Sequence, residues 1–121
     1  MKKSTVICIF LCAVLTSCVQ KTYKQEVRFE VDARHLNEIQ SIGVRGGLPP
    51  LSWNEDFLLS DPNKDSVFTG TITLDLPYDY VEVKFVKNGS EYELNGLPNR
   101  KLYFDPSKVT IFSAQFDRTD K

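Results

Sequence analysis

Period-two alternation of apolar and polar side chains is the feature that most restricts what this 121-residue chain can become. Over 80–86 one set reads Tyr80, Glu82, Lys84, Val86 and the other Val81, Val83, Phe85, a strand with one apolar face that turns Lys84 away from the core. The longest such segment spans 68–76, where Phe68, Gly70, Ile72, Leu74 and Leu76 share one parity against Thr69, Thr71, Thr73 and Asp75. Val27, Phe29 and Val31 alternate with Arg28, Glu30 and Asp32 in a first strand, and Ile42 and Val44 mark a second over 40–45. Shorter strands are expected over 57–59, 91–94, 102–104 and 109–116, and no segment carries a convincing helical period. The pattern predicts an all-β domain, an antiparallel β-sandwich or partly open barrel of about seven to eight strands.

Turn chemistry punctuates these strands. Asn88-Gly89 is a tight-turn signal, since both residues tolerate positive φ, and it joins the 80–86 strand to the run that begins at Glu91. Gly46-Gly47 ends the second strand, Asp61-Pro62-Asn63-Lys64-Asp65 is a turn cluster, and Pro77 ends the long strand before Tyr78-Asp79. His35-Leu36-Asn37-Glu38 reads as a turn or a single helical turn. In Leu48-Pro49-Pro50-Leu51-Ser52-Trp53 two adjacent prolines fix φ and stiffen the connection that delivers the only Trp.

The N-terminus has a different logic. Met1-Lys2-Lys3 is a basic start, residues 6–15 are apolar but too short to span a bilayer, and Leu15-Thr16-Ser17-Cys18 follows. This segment resembles the leader and lipobox of bacterial lipoproteins, which implies a signal peptide over 1–17, a lipid on Cys18 and a tether over 18–25 ahead of a domain over 26–121. Cys8 and Cys12 would leave with the leader, so Cys18 would be the last cysteine and no intrachain disulfide could form. The mature chain would hold 104 residues (121 minus 17), one ordinary domain, with net charge −3 (−1 less Lys2 and Lys3). That balance, with no basic run, argues against nucleic acid as a partner. Val19 is not the Asp that retains some Gram-negative lipoproteins at the inner membrane, so an outer-membrane position at the cell envelope is expected.

Catalytic chemistry finds little support. His35 is the only histidine, and no serine sits in a nucleophile motif. Glu91 and Glu93 read as surface charge sharing one face of a solvated strand. The Asp61–Asp65 cluster lacks the glycine and the closing Glu of a calcium loop, and no metal or other cofactor is expected. Phe29, Phe68, Phe85, Phe112 and Phe116 fall on apolar parities and are assigned to the core. Trp53, Tyr78, Tyr80 and Tyr92 do not, and Trp53 reads equally as a lid over the core edge or as a platform for a ligand.

Taken in order, Pro50-Leu51-Ser52-Trp53, Leu76-Pro77, Val83-Lys84-Phe85, Tyr92-Glu93 and Pro98-Asn99-Arg100 resemble the motifs of starch-binding domains of carbohydrate-binding module family 20. In that family the second aromatic is a Trp where this chain has Tyr92. The resemblance implies an immunoglobulin-like starch-binding fold and a site for an α-glucan such as starch, glycogen or a maltooligosaccharide. Trp53 and Tyr92 would stack on sugar rings, Lys84 and Asn99 would bond hydroxyls, and Glu93 would add a side-chain or backbone contact. The expected function is thus a lipid-anchored, non-catalytic glucan-binding protein that serves a glycan-processing partner at the envelope. The rival expectation is a structural or interaction module that docks on a partner protein through Trp53 and Tyr92.

Overall fold

The computed structural model describes residues 23–76, 79–105 and 109–119. The expected leader, Cys18, Pro77 and Tyr78 therefore lie outside the described residues. Within them the chain is all-β, in the order β1 (Tyr23–Asp32), β2 (Ile42–Gly46), β3 (Phe57–Leu58), β4 (Val67–Leu76), β5 (Tyr80–Lys87), β6 (Glu91–Tyr92), β7 (Arg100–Tyr103) and β8 (Thr110–Gln115). One sheet has the order β4-β1-β8, and the other has the order β3-β2-β5-β6 with β7 also paired to β5.

β1 and β4 form a ten-residue antiparallel ladder from Tyr23↔Leu76 to Asp32↔Val67, as their long alternations require. β8 departs from the expected antiparallel arrangement: it runs parallel to β1, from Val27↔Thr110 to Asp32↔Gln115. Having paired with β5 through β7, the chain crosses to the other sheet before β8 begins, and a crossover of that kind permits a parallel ladder. Residues 23–25, expected ahead of the domain, are already paired in β1. Gln25 is buried there, and its Nε2 donates to the Asp105 carbonyl (3.0 Å) and to Thr110 Oγ1 (3.1 Å). A buried amide satisfied in this way leaves no apolar signature in the sequence.

The inward residues of both sheets share one core. Val27, Phe29 and Val31 of β1, Ile42 and Val44 of β2, and Val81, Val83 and Phe85 of β5 are buried, each on the parity that the alternation assigned. Phe29 meets Phe85 edge to face with centroids 6.1 Å apart, and Phe112 of β8 lies 6.2 Å from each. Three rings from three strands thereby tie the sheets together, each contact adding about 0.5–1.5 kcal/mol to the burial term.

The β5–β6 connection uses Asn88 at φ 53° and Gly89 at φ 77°, followed by Ser90, so the loop has three residues (88–90) between Lys87 and Glu91. Asn88 Oδ1 accepts from the Gln40 and Ser41 amides (2.7 and 3.1 Å), and its Nδ2 donates to the Glu38 carbonyl (3.0 Å). One side chain thus fixes both the hairpin and the 38–41 approach to β2. The Asp61 carboxylate caps its own turn by accepting from the Asp65 and Ser66 amides (3.1 and 2.9 Å).

Candidate functional site

Ladder registers decide which side chains share the outer face of the β2-β5 sheet. Arg45↔Lys84, Val86↔Tyr92, Glu82↔Lys101 and Tyr80↔Tyr103 are direct partners, so all of these but the buried Val86 form a polar and aromatic surface opposite to Val81, Val83 and Phe85. Against this face the 47–53 loop is pinned by Leu51, which is buried in the core, and by the Leu51 amide donating to the Leu48 carbonyl (2.9 Å). Trp53 at its end stands outside the core cluster and is 37% exposed.

Arg45 is the organising residue, and no motif around it signals that role. Its Nε donates to Asp56 Oδ1 (2.6 Å), Nη1 to Tyr92 Oη (2.7 Å) and the Trp53 carbonyl (3.3 Å), and Nη2 to the Gly89 carbonyl (2.9 Å). Tyr92 Oη in turn donates to the Trp53 carbonyl (3.2 Å), while the guanidinium lies 5.2 Å from the Tyr92 ring centroid. The Asp56 carboxylate, bonded to Arg45, raises the guanidinium pKa further above its ordinary value. Gly43 is required beneath this pair, because a Cβ there would stand 2.7 Å from Asp56 Cβ.

Beside this cluster an open hollow of about 410 Å3 is lined by Gly47, Leu48, Trp53, Tyr80, Glu82 and Asn99, with Val81 at its floor. Asn99 Nδ2 donates to Glu82 Oε1 (3.1 Å), which leaves amide and carboxylate capacity facing the hollow. Tyr80 packs 5.5 Å from Tyr103, and Lys101 Nζ lies 5.4 Å from the Tyr80 ring centroid.

The residues expected at a site from sequence are therefore divided. Trp53 and Asn99 share the hollow, and Tyr92, 40% exposed, stands behind it with its hydroxyl on the Trp53 carbonyl. Lys84 does lie on the outer face, but its Nζ donates to the Leu94 and Leu97 carbonyls (3.2 and 3.0 Å), so it holds down the 94–97 loop. Glu93 is corrected outright: its side chain is fully buried and cannot reach a ligand or serve as surface charge. β6 ends at Tyr92, and the chain then turns inward. There Glu93 Oε2 accepts from Arg100 Nε (2.7 Å) and the Phe85 amide (3.0 Å), and Oε1 accepts from Arg100 Nη2 (2.8 Å) and the Asp117 amide (3.0 Å). Tyr80, set apart from the core by its outward parity, and Glu82, which shares that parity, also line the hollow. Among the described residues no group of three His, Cys, Asp or Glu side chains is gathered to hold a metal. No protein-family model matches the chain, and comparison with curated proteins gives no match.

Proposed function

We propose that the chain is a non-catalytic carbohydrate-binding protein whose two sheets form a starch-binding type of β-sandwich and whose ligand is an α-glucan. The observation that carries this reading is the half-exposed Trp53 indole set in a hollow whose polar wall is the Glu82 and Asn99 pair. A pyranose presents a C–H face that suits an indole and a rim of hydroxyls that needs both donors and acceptors. Asn99 supplies an amide donor, Glu82 an acceptor, and Tyr80 a second aromatic wall. Tyr92 belongs to the support, since with Arg45 it fixes the backbone carbonyl of Trp53 and so the place of the indole. Glu82 is the single carboxylate among the described lining residues, whereas hydrolysis of a glycosidic bond ordinarily takes two. The chain is held at the cell envelope by a lipid on Cys18, with outer-membrane placement, and serves a glycan-processing partner there.

Calorimetric titration with a maltooligosaccharide, paired with retardation on an amylose-containing native gel, tests the reading. Parent protein should bind, and Asn99→Ala and Trp53→Ala should weaken binding without unfolding the domain. A parent that binds no glucan, or a Trp53→Ala variant with parental affinity, refutes it.

A further inference from the structure

A second surface is left unexplained by that site. Tyr103 and Ile111 are each 62% exposed and Val109 is 42% exposed, and with Phe104, Asp105 and Thr110 they surround an open hollow of about 450 Å3. Three large apolar side chains gathered at one place on a small domain mark an interaction surface. Their position in the fold indicates what they meet. Thr110 pairs with Val27, so Val109 lies beside the first half of β1, and the Gln25 side chain is bonded to both Asp105 and Thr110. The patch is therefore at the end of the domain where the chain enters β1. The loop at 88–90 is at the opposite end, since Tyr80 pairs with Tyr103 and β5 then runs on to Lys87, a rise of roughly 23 Å.

We infer that the Tyr103, Val109 and Ile111 surface rests on the bilayer interface to which the chain is anchored. This rests on the reading of Cys18 as the lipidated residue. Because β1 begins at Tyr23, four residues (19–22) separate it from Cys18, and the Cα–Cα reach from 18 to 23 is at most roughly 17 Å. Tyr23 is only about 7 Å along β1 from Gln25, whose side chain touches the edge of the patch. So short a link keeps this end of the domain within reach of the headgroups. A tyrosine with two aliphatic neighbours suits that boundary, because the ring is apolar and its hydroxyl stays hydrated. Arg28, which pairs with Ile111 across the ladder, is bonded to Glu30 (3.3 Å), so Lys24, exposed near the start of the same strand, is the cation placed to meet phosphate. Because Tyr103 also packs against Tyr80, the membrane-facing surface adjoins the hollow, and a bound glucan would lie close to the bilayer.

The test uses the processed full chain in lipid vesicles, with an environment-sensitive fluorophore on Ile111→Cys or, separately, on Ser90→Cys. The 111 probe should shift to shorter wavelength and lose most of its emission to brominated lipids, while the 90 probe keeps the spectrum it has in water. Equal hydration of both probes on vesicle-bound protein overturns the inference and leaves the anchor reading standing. Shielding of the 111 probe without quenching by lipid assigns the patch to a contact between copies of the chain and also overturns it. Failure of the chain to associate with vesicles at all removes the anchor reading, and the inference falls with it.

Discussion

Replacing Arg100 by alanine should unfold much of what the ionic cluster holds. Glu93 is completely buried, the Arg100 side chain is 13% exposed, and four hydrogen bonds converge on the carboxylate, two of them from Arg100. Arg100 also donates to the Gln115 and Arg118 carbonyls (2.9 and 2.7 Å), so it joins β7 to the C-terminal end of β8. Arg100→Ala leaves a buried carboxylate with two backbone amides and no countercharge, a loss of about 3–5 kcal/mol. Against a domain stability of roughly 5–15 kcal/mol this is large, and it corresponds to a Tm lowered by roughly 15–30 °C. Urea unfolding of Arg100→Ala, Glu93→Gln and Glu93→Leu/Arg100→Leu measures it. Both single variants should be strongly destabilised, and the double apolar variant should lie nearer the parent, because desolvating the pair offsets much of its attraction. An Arg100→Ala loss under about 1 kcal/mol refutes the argument. So does a Glu93→Gln variant that unfolds like the parent and binds glucan more weakly, since that outcome returns Glu93 to the ligand.

Sequence reasoning reached the strands because a half-buried strand writes its own burial into the chain every second residue. Val81, Val83 and Phe85, and Val27, Phe29 and Val31, lie inside as their parity requires. The same period is blind to direction, so β8 could be placed as a strand but not as the parallel neighbour of β1. Parity also fails once a strand ends. Glu91 and Glu93 look alike over an expected strand at 91–94, but β6 stops at Tyr92, and Glu93 is carried inward while Glu91 stays exposed. Val86, on the outward parity between Gly43 and Tyr92, is buried as well. For the site, two of the residues picked out by the order of motifs, Trp53 and Asn99, line one hollow. The hold of Lys84 on the 94–97 loop could not be read there, because the acceptors of that amine are loop carbonyls, which any residue supplies. Arg45 and Asp56 escaped for a related reason: they are 11 residues apart across a loop whose path the sequence does not reveal.

Trp53→Ala should cost about 1–3 kcal/mol of glucan binding with little change in Tm, read by titration and thermal melts on the same sample. Lys84→Ala should lower stability by about 1–2 kcal/mol and speed amide exchange over 94–97, because two carbonyls lose a charged donor. Asp32 is held down from 3.8 to about 2 chiefly by the Arg34 side-chain hydrogen bonds (3.0 and 2.8 Å) and then by the Arg34 amide. Since the folded value is the lower one, its contribution is complete above about pH 4 and disappears as pH falls toward 2; acid titrations of parent and Asp32→Asn should converge there. Arg45→Lys is the sharpest probe of the site's support. A guanidinium spans Asp56, Gly89, Tyr92 and Trp53 at once, whereas an ammonium on a shorter, unforked head cannot reach all four. The variant keeps the charge, so a purely electrostatic role predicts parental behaviour. A positioning role predicts a stability loss of about 1.5–3 kcal/mol together with weaker glucan binding, because the Trp53 carbonyl loses its fixed donor and the indole its fixed place. Binding and unfolding measured on Arg45→Lys separate the two, and unchanged affinity in a destabilised variant means that Trp53 is held by the Leu51-anchored loop alone.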